Sequence, residues 1–90
     1  MDFLHTDFHG GSDEIVLVTL DSQANVMLLD DINFSAYQDG RTFNYYGGWA
    51  TQSPVRLVPP HPGRWHVIVD LGGASGTVRA GIRIIRFQPT

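Results

Sequence analysis

A proline-rich linker between two apolar segments constrains the fold of this chain more than any other feature. The segments Val55 to Val58 and Trp65 to Leu71 flank residues 59–64, which read PPHPGR. Prolines fix φ and remove backbone donors, and Gly63 tolerates positive φ, so the linker favours a turn. Apolar side chains alternate along the second segment, as expected of a strand with one buried face. The stretch therefore predicts a β-hairpin.

Short strands separated by turns are predicted for the rest of the chain. Glu14 to Leu20 (EIVLVTL) is apolar on both faces, which is typical of a strand inside a fold. Asp30 or Asp31 is expected to cap a short helix near residues 31–39, which Gly40 would end. Further extended segments are predicted at residues 1–8, 25–29, 41–46 and 77–87, with turns or loops at 10–13, 21–23, 47–53 and 72–76.

These segments predict an all-β fold. With no long crossover of the kind that a parallel sheet needs, the strands should pair antiparallel. We expect one domain over residues 1–90, a compact antiparallel β-sandwich or small barrel of about six to eight short strands.

Composition narrows the classes of function. The net charge of −3 argues against a nucleic-acid binder, whose surface would be basic. The absence of cysteine excludes a disulfide framework and a thiolate metal site. Only 17% of residues are charged, which leaves neutral or apolar surface on which a second copy or another domain could pack.

The N-terminal residues lack the basic and apolar regions of a secretion signal, and no apolar run reaches the length of a membrane span. We therefore expect a soluble, cytoplasmic protein with no membrane partner.

Four histidines could suggest a metal site, but their spacing does not favour one. His5 and His9 would share a face of an extended strand, yet they would lie about 13 Å apart at roughly 3.3 Å per residue. A shared ion needs three or four converging ligands. With His61 and His66 flanking the linker instead, we expect neither a metal nor another cofactor.

His66 and Asp70 fall on the same side of one predicted strand, together with Ile68. A hydrolase would also need a nucleophile held against the histidine, but no G-x-S-x-G motif is present and Ser75 lies in a glycine-rich turn. Asp70 is better interpreted as a strand-end residue that accepts hydrogen bonds from the following turn. No catalytic residue is assigned.

The residues that best suggest a function are aromatic. Tyr46 and Trp49 flank Gly47-Gly48, where a backbone can approach a ligand closely, and Arg64 is the cation of the predicted turn. Such rings and arginines are typical of binding surfaces on β-sandwiches. Tyr45 adds another ring, whereas Trp65 heads an alternating apolar face and is expected in the core.

The last predicted strand is amphipathic, with one apolar face and one polar face. Val78, Ala80, Ile82 and Ile84 alternate on one face, which we assign to the core. Arg79, Gly81 and Arg83 occupy the other face, which must be solvated, pair with a neighbouring carboxylate, or meet an anion.

The sequence also resembles a known family. The segments NVMLLDDINF at 25–34, YGG at 46–48 and PGRWHVIVD at 62–70 resemble the bacterial family known as domain of unknown function 1883. The likeness covers nearly the whole chain. It implies a compact β-sandwich, found as small stand-alone proteins and as an accessory domain beside signalling or defence modules. It implies no activity and no site residues.

Together, these features favour a non-enzymatic binding or interaction module. Its surface would consist of Tyr46, Gly47, Gly48, Trp49 and Arg64, and its partner would be a protein or a small molecule. Two alternatives remain open, a small hydrolase-like enzyme using His66 and Asp70, and a structural domain that self-associates through exposed strand edges.

Overall fold

A computed structural model describes residues 3–72, 76 and 78–86, and in this part of the chain there are seven strands and one helix. In chain order they are β1 (Leu4–Gly10), β2 (Glu14–Leu20), β3 (Ala24–Asp30), α1 (Asp31–Gln38), β4 (Tyr46–Ala50), β5 (Val55–Leu57), β6 (Gly63–Asp70) and β7 (Ala80–Arg86).

The strands form two antiparallel sheets. One sheet has four strands in the order β1-β6-β3-β4, and the other has three in the order β5-β2-β7. In the four-stranded sheet, β6 lies between β1 and β3, with His66 opposite Asp7 on one side and Leu29 on the other. The predicted all-β, antiparallel fold with one short helix is confirmed.

The two sheets pack against each other through alternating apolar side chains. Val16 and Val18 of β2 are fully buried against the inner face of the four-stranded sheet. Trp65 is 1% exposed and belongs to this core, as predicted. The inner face is completed by a set of small and branched residues, Ala24, Val26, Leu28, Val67 and Val69.

Helix α1 covers part of the outer face of the four-stranded sheet. Its first turn is capped by Asp30, whose carboxylate accepts the Asn33 N–H at 2.9 Å, and Gly40 follows its end with φ +74°. Phe34, Tyr37 and the nearby Phe43 pack on a small second core formed by Met27, Leu29 and Ile68. This helix explains why β3 and β6 are apolar on both faces.

The predicted hairpin of residues 55–71 is wrong. β5 belongs to the three-stranded sheet and β6 to the four-stranded sheet, so residues 58–62 carry the chain from one sheet to the other. Both edges of β6 are already paired, with β1 and β3, which leaves no edge for β5. Val55 and Leu57 instead pair with β2 and point into the core. The prolines thus stiffen a crossover between sheets.

The predicted strand at residues 41–46 and loop at 47–53 are also misplaced. Residues 41–45 are irregular, and β4 begins at Tyr46 and runs through both glycines. Gly47 has φ +110°, and a Cβ there would collide with the Val26 carbonyl oxygen. Aromatic composition alone thus favoured the wrong segment, because only glycine fits beside β3.

The last strand begins later than predicted. β7 starts at Ala80, and Thr77 and Phe87 lie outside the described residues, as does the turn at 73–75. Val78, Ala80 and Ile82 pack on the core as predicted, whereas Ile84 is partly exposed. No helix in the described residues is both long and apolar enough to cross a membrane.

Candidate functional site

A chain of hydrogen bonds links the start of α1 to the outer face of the four-stranded sheet. His66 Nε2 lies 2.5 Å from Asp31 Oδ1, and His66 Nδ1 lies 2.9 Å from His5 Nε2. His66 is almost completely buried, while Asp31 and His5 are at the surface. We call Asp31, His66, His5 and the overlying Phe34 the histidine cluster.

The carboxylate of Asp31 fixes the role of one ring nitrogen of His66. A carboxylate can only accept, so His66 Nε2 carries the hydrogen that is donated to Asp31. His66 Nδ1 and His5 Nε2 share a second hydrogen bond, in which the tautomers determine which nitrogen donates. A continuous hydrogen-bonded chain therefore runs through the cluster, from His5 through His66 to Asp31.

Phe34 lies flat over both imidazoles. Its ring centroid is 4.1 Å from that of His66 and 4.4 Å from that of His5, with planes tilted by only 7° and 15°. The two imidazoles lie side by side and nearly coplanar, at 16°. One face of their hydrogen bond is thus shielded from water by the helix.

An exposed ion pair borders the histidine cluster. Arg64 donates to Asp7 from Nε at 3.0 Å and from a terminal nitrogen at 2.6 Å, and its Nε lies 3.8 Å from Asp31. The hydrogen bond from His66 lowers the pKa of Asp31, and Arg64 adds to this effect. Partial burial lowers the pKa of His5, as does the neighbouring His66. The cluster therefore favours a charged Asp31 beside a neutral His5.

His66 and Asp70 do share a face, as predicted, but they have different partners. Asp70 accepts from Tyr37 at 2.8 Å, from Asn25 at 3.2 Å and from the Gly72 N–H at 2.8 Å. Burial, followed by the hydrogen bond to Asp70, raises the pKa of the Tyr37 phenol strongly. Asp70 thus holds the strand end to the turn and helix, as its sequence position suggested, and does not orient His66.

A polar groove lies beside the histidine cluster, where β3 ends and β4 begins. Its volume is about 350 Å³. The polar and aromatic side chains along it come from three places: the start of α1, the segment entering β4, and the crossover before β6. Its lining is Leu28, Leu29, Asp30, Asn33, Asn44, Tyr45, Tyr46, His61 and Trp65.

Hydrogen bonds within the protein shape one wall of this groove. Asp30 accepts from both the backbone and the side-chain amide of Asn33, and Asn33 Oδ1 accepts the Asn44 N–H at 2.7 Å. At the crossover before β6, Trp65 donates its indole N–H to the His61 carbonyl at 3.0 Å. The groove is therefore preformed by contacts that do not involve a ligand.

Other polar groups in the groove are open to a ligand. Tyr45 and Tyr46 are 46% and 51% exposed, and within the described residues neither phenol is hydrogen-bonded. The same holds for the side-chain amide of Asn44. Two aromatic rings and an amide are thus available in one concave surface.

The five residues of the predicted binding surface do not come together. Tyr46 lines the groove and packs edge-on against Trp65, with centroids 6.1 Å apart. Trp49 is opposite Asn25 of β3, and its side chain is on the outer face of the sheet. Its indole Nε1 lies 3.4 Å from Gln23 Oε1.

Arg64 is remote from that tryptophan. Asn25 pairs with Asp70, which is six residues from Arg64 along β6, or about 20 Å at 3.3 Å per residue. Gly47 and Gly48 allow β4 to fit beside β3 and do not line the groove. Of the predicted surface, the groove thus includes only Tyr46.

Metal-ligating side chains do not converge in the described part of the chain, where no group of three His, Asp or Glu residues has metal-binding geometry. His5 and His9 lie on the same face of β1, four residues apart, and only His5 joins the histidine cluster.

The whole chain can be compared with known families. The family model described as "Domain of unknown function (DUF1883)" matches residues 1–88. The chain belongs to this family. No curated protein and no solved structure shows a significant match to it. DUF1883 membership thus agrees with the resemblance seen in the sequence, and it leaves the function to be argued from the geometry.

Sequence reasoning missed how the histidine cluster is assembled. Asp31 was predicted only as a possible helix cap, and no role was predicted for Phe34. A signal for His66 was present, because a histidine in the otherwise apolar run WHVIV needs buried partners. Its partners could not be named, since Asp31 is 35 residues away and His5 is 61 residues away.

Proposed function

We propose that this protein is a non-enzymatic binding module whose ligand occupies the polar groove beside α1. The observation that carries the proposal is the pair of exposed tyrosines, Tyr45 and Tyr46, in a preformed groove of about 350 Å³. This volume falls within the range of small-molecule sites. Tyrosine combines a flat apolar face with a hydroxyl, which suits it to recognition surfaces.

The chemistry of the lining favours a neutral, hydroxylated ligand. No arginine contributes to the lining, and Asp30 places a carboxylate at the edge of the groove, which disfavours an anion. The open groups are phenols and an amide, which both donate and accept hydrogen bonds. A sugar ring fits this arrangement, since its apolar face can lie on a tyrosine and its hydroxyls can reach Asn44.

Binding is favoured over catalysis because the carboxylate and the imidazole that line the groove already have structural partners. Asp30 caps α1, and the His61 ring interacts with the carbonyl oxygen of Pro62 at 3.2 Å. In the described residues, no serine or threonine hydroxyl is hydrogen-bonded to His5 or His66. A nucleophile with a general base, which a hydrolase would need, is therefore not assembled there.

The test is calorimetric titration of the purified protein with a panel of mono- and oligosaccharides. We expect one of them to bind, and we expect Asn44→Ala and Tyr46→Phe to weaken that binding. Asn44→Ala retains the backbone N–H that bonds to Asn33, and Tyr46→Phe retains the ring that packs on Trp65, so the fold should be preserved.

Trp49→Ala is the matched control, because Trp49 is equally exposed but lies outside the groove. If Trp49→Ala abolished binding while Asn44→Ala and Tyr46→Phe did not, the binding surface would be elsewhere. If no sugar bound to the wild-type protein, the proposed ligand class would be wrong.

A further inference from the structure

The outer face of the three-stranded sheet, which contributes no residue to the groove, carries a second surface that is independent of the function proposed for the groove. Val16 and Val18 point into the core, so the alternate residues of β2 point outward. Their cross-strand partners share this face. We define the arginine face by five residues, Ile15, Leu17, Arg56, Arg83 and Ile85.

The strand register places an apolar residue between two cations. Leu17 of β2 is opposite Arg56 of β5 on one side and opposite Arg83 of β7 on the other. Strands are spaced by about 4.8 Å, so the two arginine backbones lie about 10 Å apart across the sheet. The neighbouring pair Ile15 and Ile85 extends the apolar strip, and Ile85 is 38% exposed.

The two arginines of this face have no carboxylate partner among the residues that the structure describes. Arg41, Arg64 and Arg86 each pair with a carboxylate. Among the described residues, Arg56 and Arg83 have no such partner within 4.0 Å. Two unpaired cations therefore flank an apolar strip on a chain whose net charge is −3.

We propose that the arginine face docks an acidic, extended segment of a partner protein, with an apolar side chain on Leu17 and carboxylates on Arg56 and Arg83. Charge complementarity identifies this occupant. Arginine binds carboxylates in a fixed, two-pronged geometry, and apolar contact between the two ion pairs excludes water from them.

Other occupants fit the face less well. A second copy docked face to face would bring arginines towards arginines, and this like-charge contact opposes association. An anionic membrane is recognised by clusters of roughly four to eight basic residues. This face has two, on a protein of net negative charge.

Fluorescence anisotropy tests the proposal with a short labelled peptide that has Glu, Val and Glu at every second position, separated by serines, so that all three share one face of the extended peptide. A peptide with lysine in place of each glutamate is the charge-reversed probe. We expect the acidic peptide to bind, and the double substitution Arg56→Ala with Arg83→Ala to weaken its binding about tenfold, as the loss of two partly exposed ion pairs would do. Added salt should weaken binding as well.

Arg41→Ala is the matched control, because it removes an exposed arginine from a different surface. Equal binding of the two peptides would overturn the proposal, and so would equal weakening by Arg41→Ala and by the double substitution. Two further results would also overturn it: binding to anionic vesicles without binding to the acidic peptide, and a dimer in sedimentation that Leu17→Glu dissociates.

Discussion

At the scale of single residues, His66 shows how a polar side chain is accommodated in a nearly inaccessible position. Each of its ring nitrogens has a partner, Asp31 on one side and His5 on the other, and Phe34 covers the ring. Burying an imidazole without such partners would cost the hydrogen bonds that it makes with water. The histidine cluster thus holds the first turn of α1 to the sheet while remaining polar.

The stability of the protein should depend on pH through this cluster. Because the pKa of His5 is lowered from 6.5, the folded state binds a proton less readily than the unfolded chain. The contribution of His5 to the free energy of unfolding should be complete above pH 6.5. It should decrease as the pH falls below this value. Asp31, whose pKa lies below 3.8, adds a further loss in more acidic solution.

Urea unfolding at a series of pH values checks this expectation. His5→Gln, which has no titrating ring, should flatten the decline below pH 6.5 relative to the wild-type protein. His9→Gln provides a control with the same substitution on the same strand but outside the cluster. A decline that is unchanged in His5→Gln would show that another group is responsible.

At the scale of secondary-structure elements, the sequence predicted well those elements that are defined by their own residues. β2 begins and ends where the apolar run EIVLVTL does, and α1 follows the Asp30 cap and stops before Gly40. The elements defined by distant partners were predicted poorly. The place of β5 depends on which strand edges are free, and no local pattern in residues 55–57 contains that information.

Gly47 of β4 allows a test of whether only glycine fits beside β3 at this position. Gly47→Ala should destabilise the protein by about 3 kcal/mol or more, because the new Cβ would meet the Val26 carbonyl at a backbone angle that alanine disfavours. Gly40→Ala is the matched control, since it also has positive φ but has open space around it. It should cost only about 1 kcal/mol.

Thermal or urea unfolding measures the loss of stability in Gly47→Ala and in Gly40→Ala. Equal losses would mean that the positive φ alone determines the cost, and that the close approach of β4 to β3 does not contribute.

At the scale of the whole molecule, stability depends on the core between the two sheets. Trp65 is the largest of its fully buried side chains, and it also ties the crossover to β6 through the His61 carbonyl. Its place in the core was foreseen from the alternation of apolar residues. Its contact with the crossover was not, because that crossover was taken for a hairpin turn.

Trp65→Phe should therefore lower the free energy of unfolding by about 2 to 4 kcal/mol, through a cavity and a lost hydrogen bond. Trp49→Phe makes the same chemical change at a half-exposed position and should cost no more than about 0.5 kcal/mol. Denaturant titration monitored by circular dichroism measures both. Similar costs for the two variants would argue against a dominant role for the core tryptophan.

The position of β6 has a consequence for biosynthesis. β6 lies between β1 and β3 in the sheet, yet it follows both of them in the chain. Its residue His66 is opposite Asp7 of β1 on one side and opposite Leu29 of β3 on the other. As the protein leaves the ribosome, β1 and β3 emerge first and must wait for the strand that joins them. The four-stranded sheet can close only when residues 63–70 are free, so its folding on the ribosome must wait until these residues have emerged.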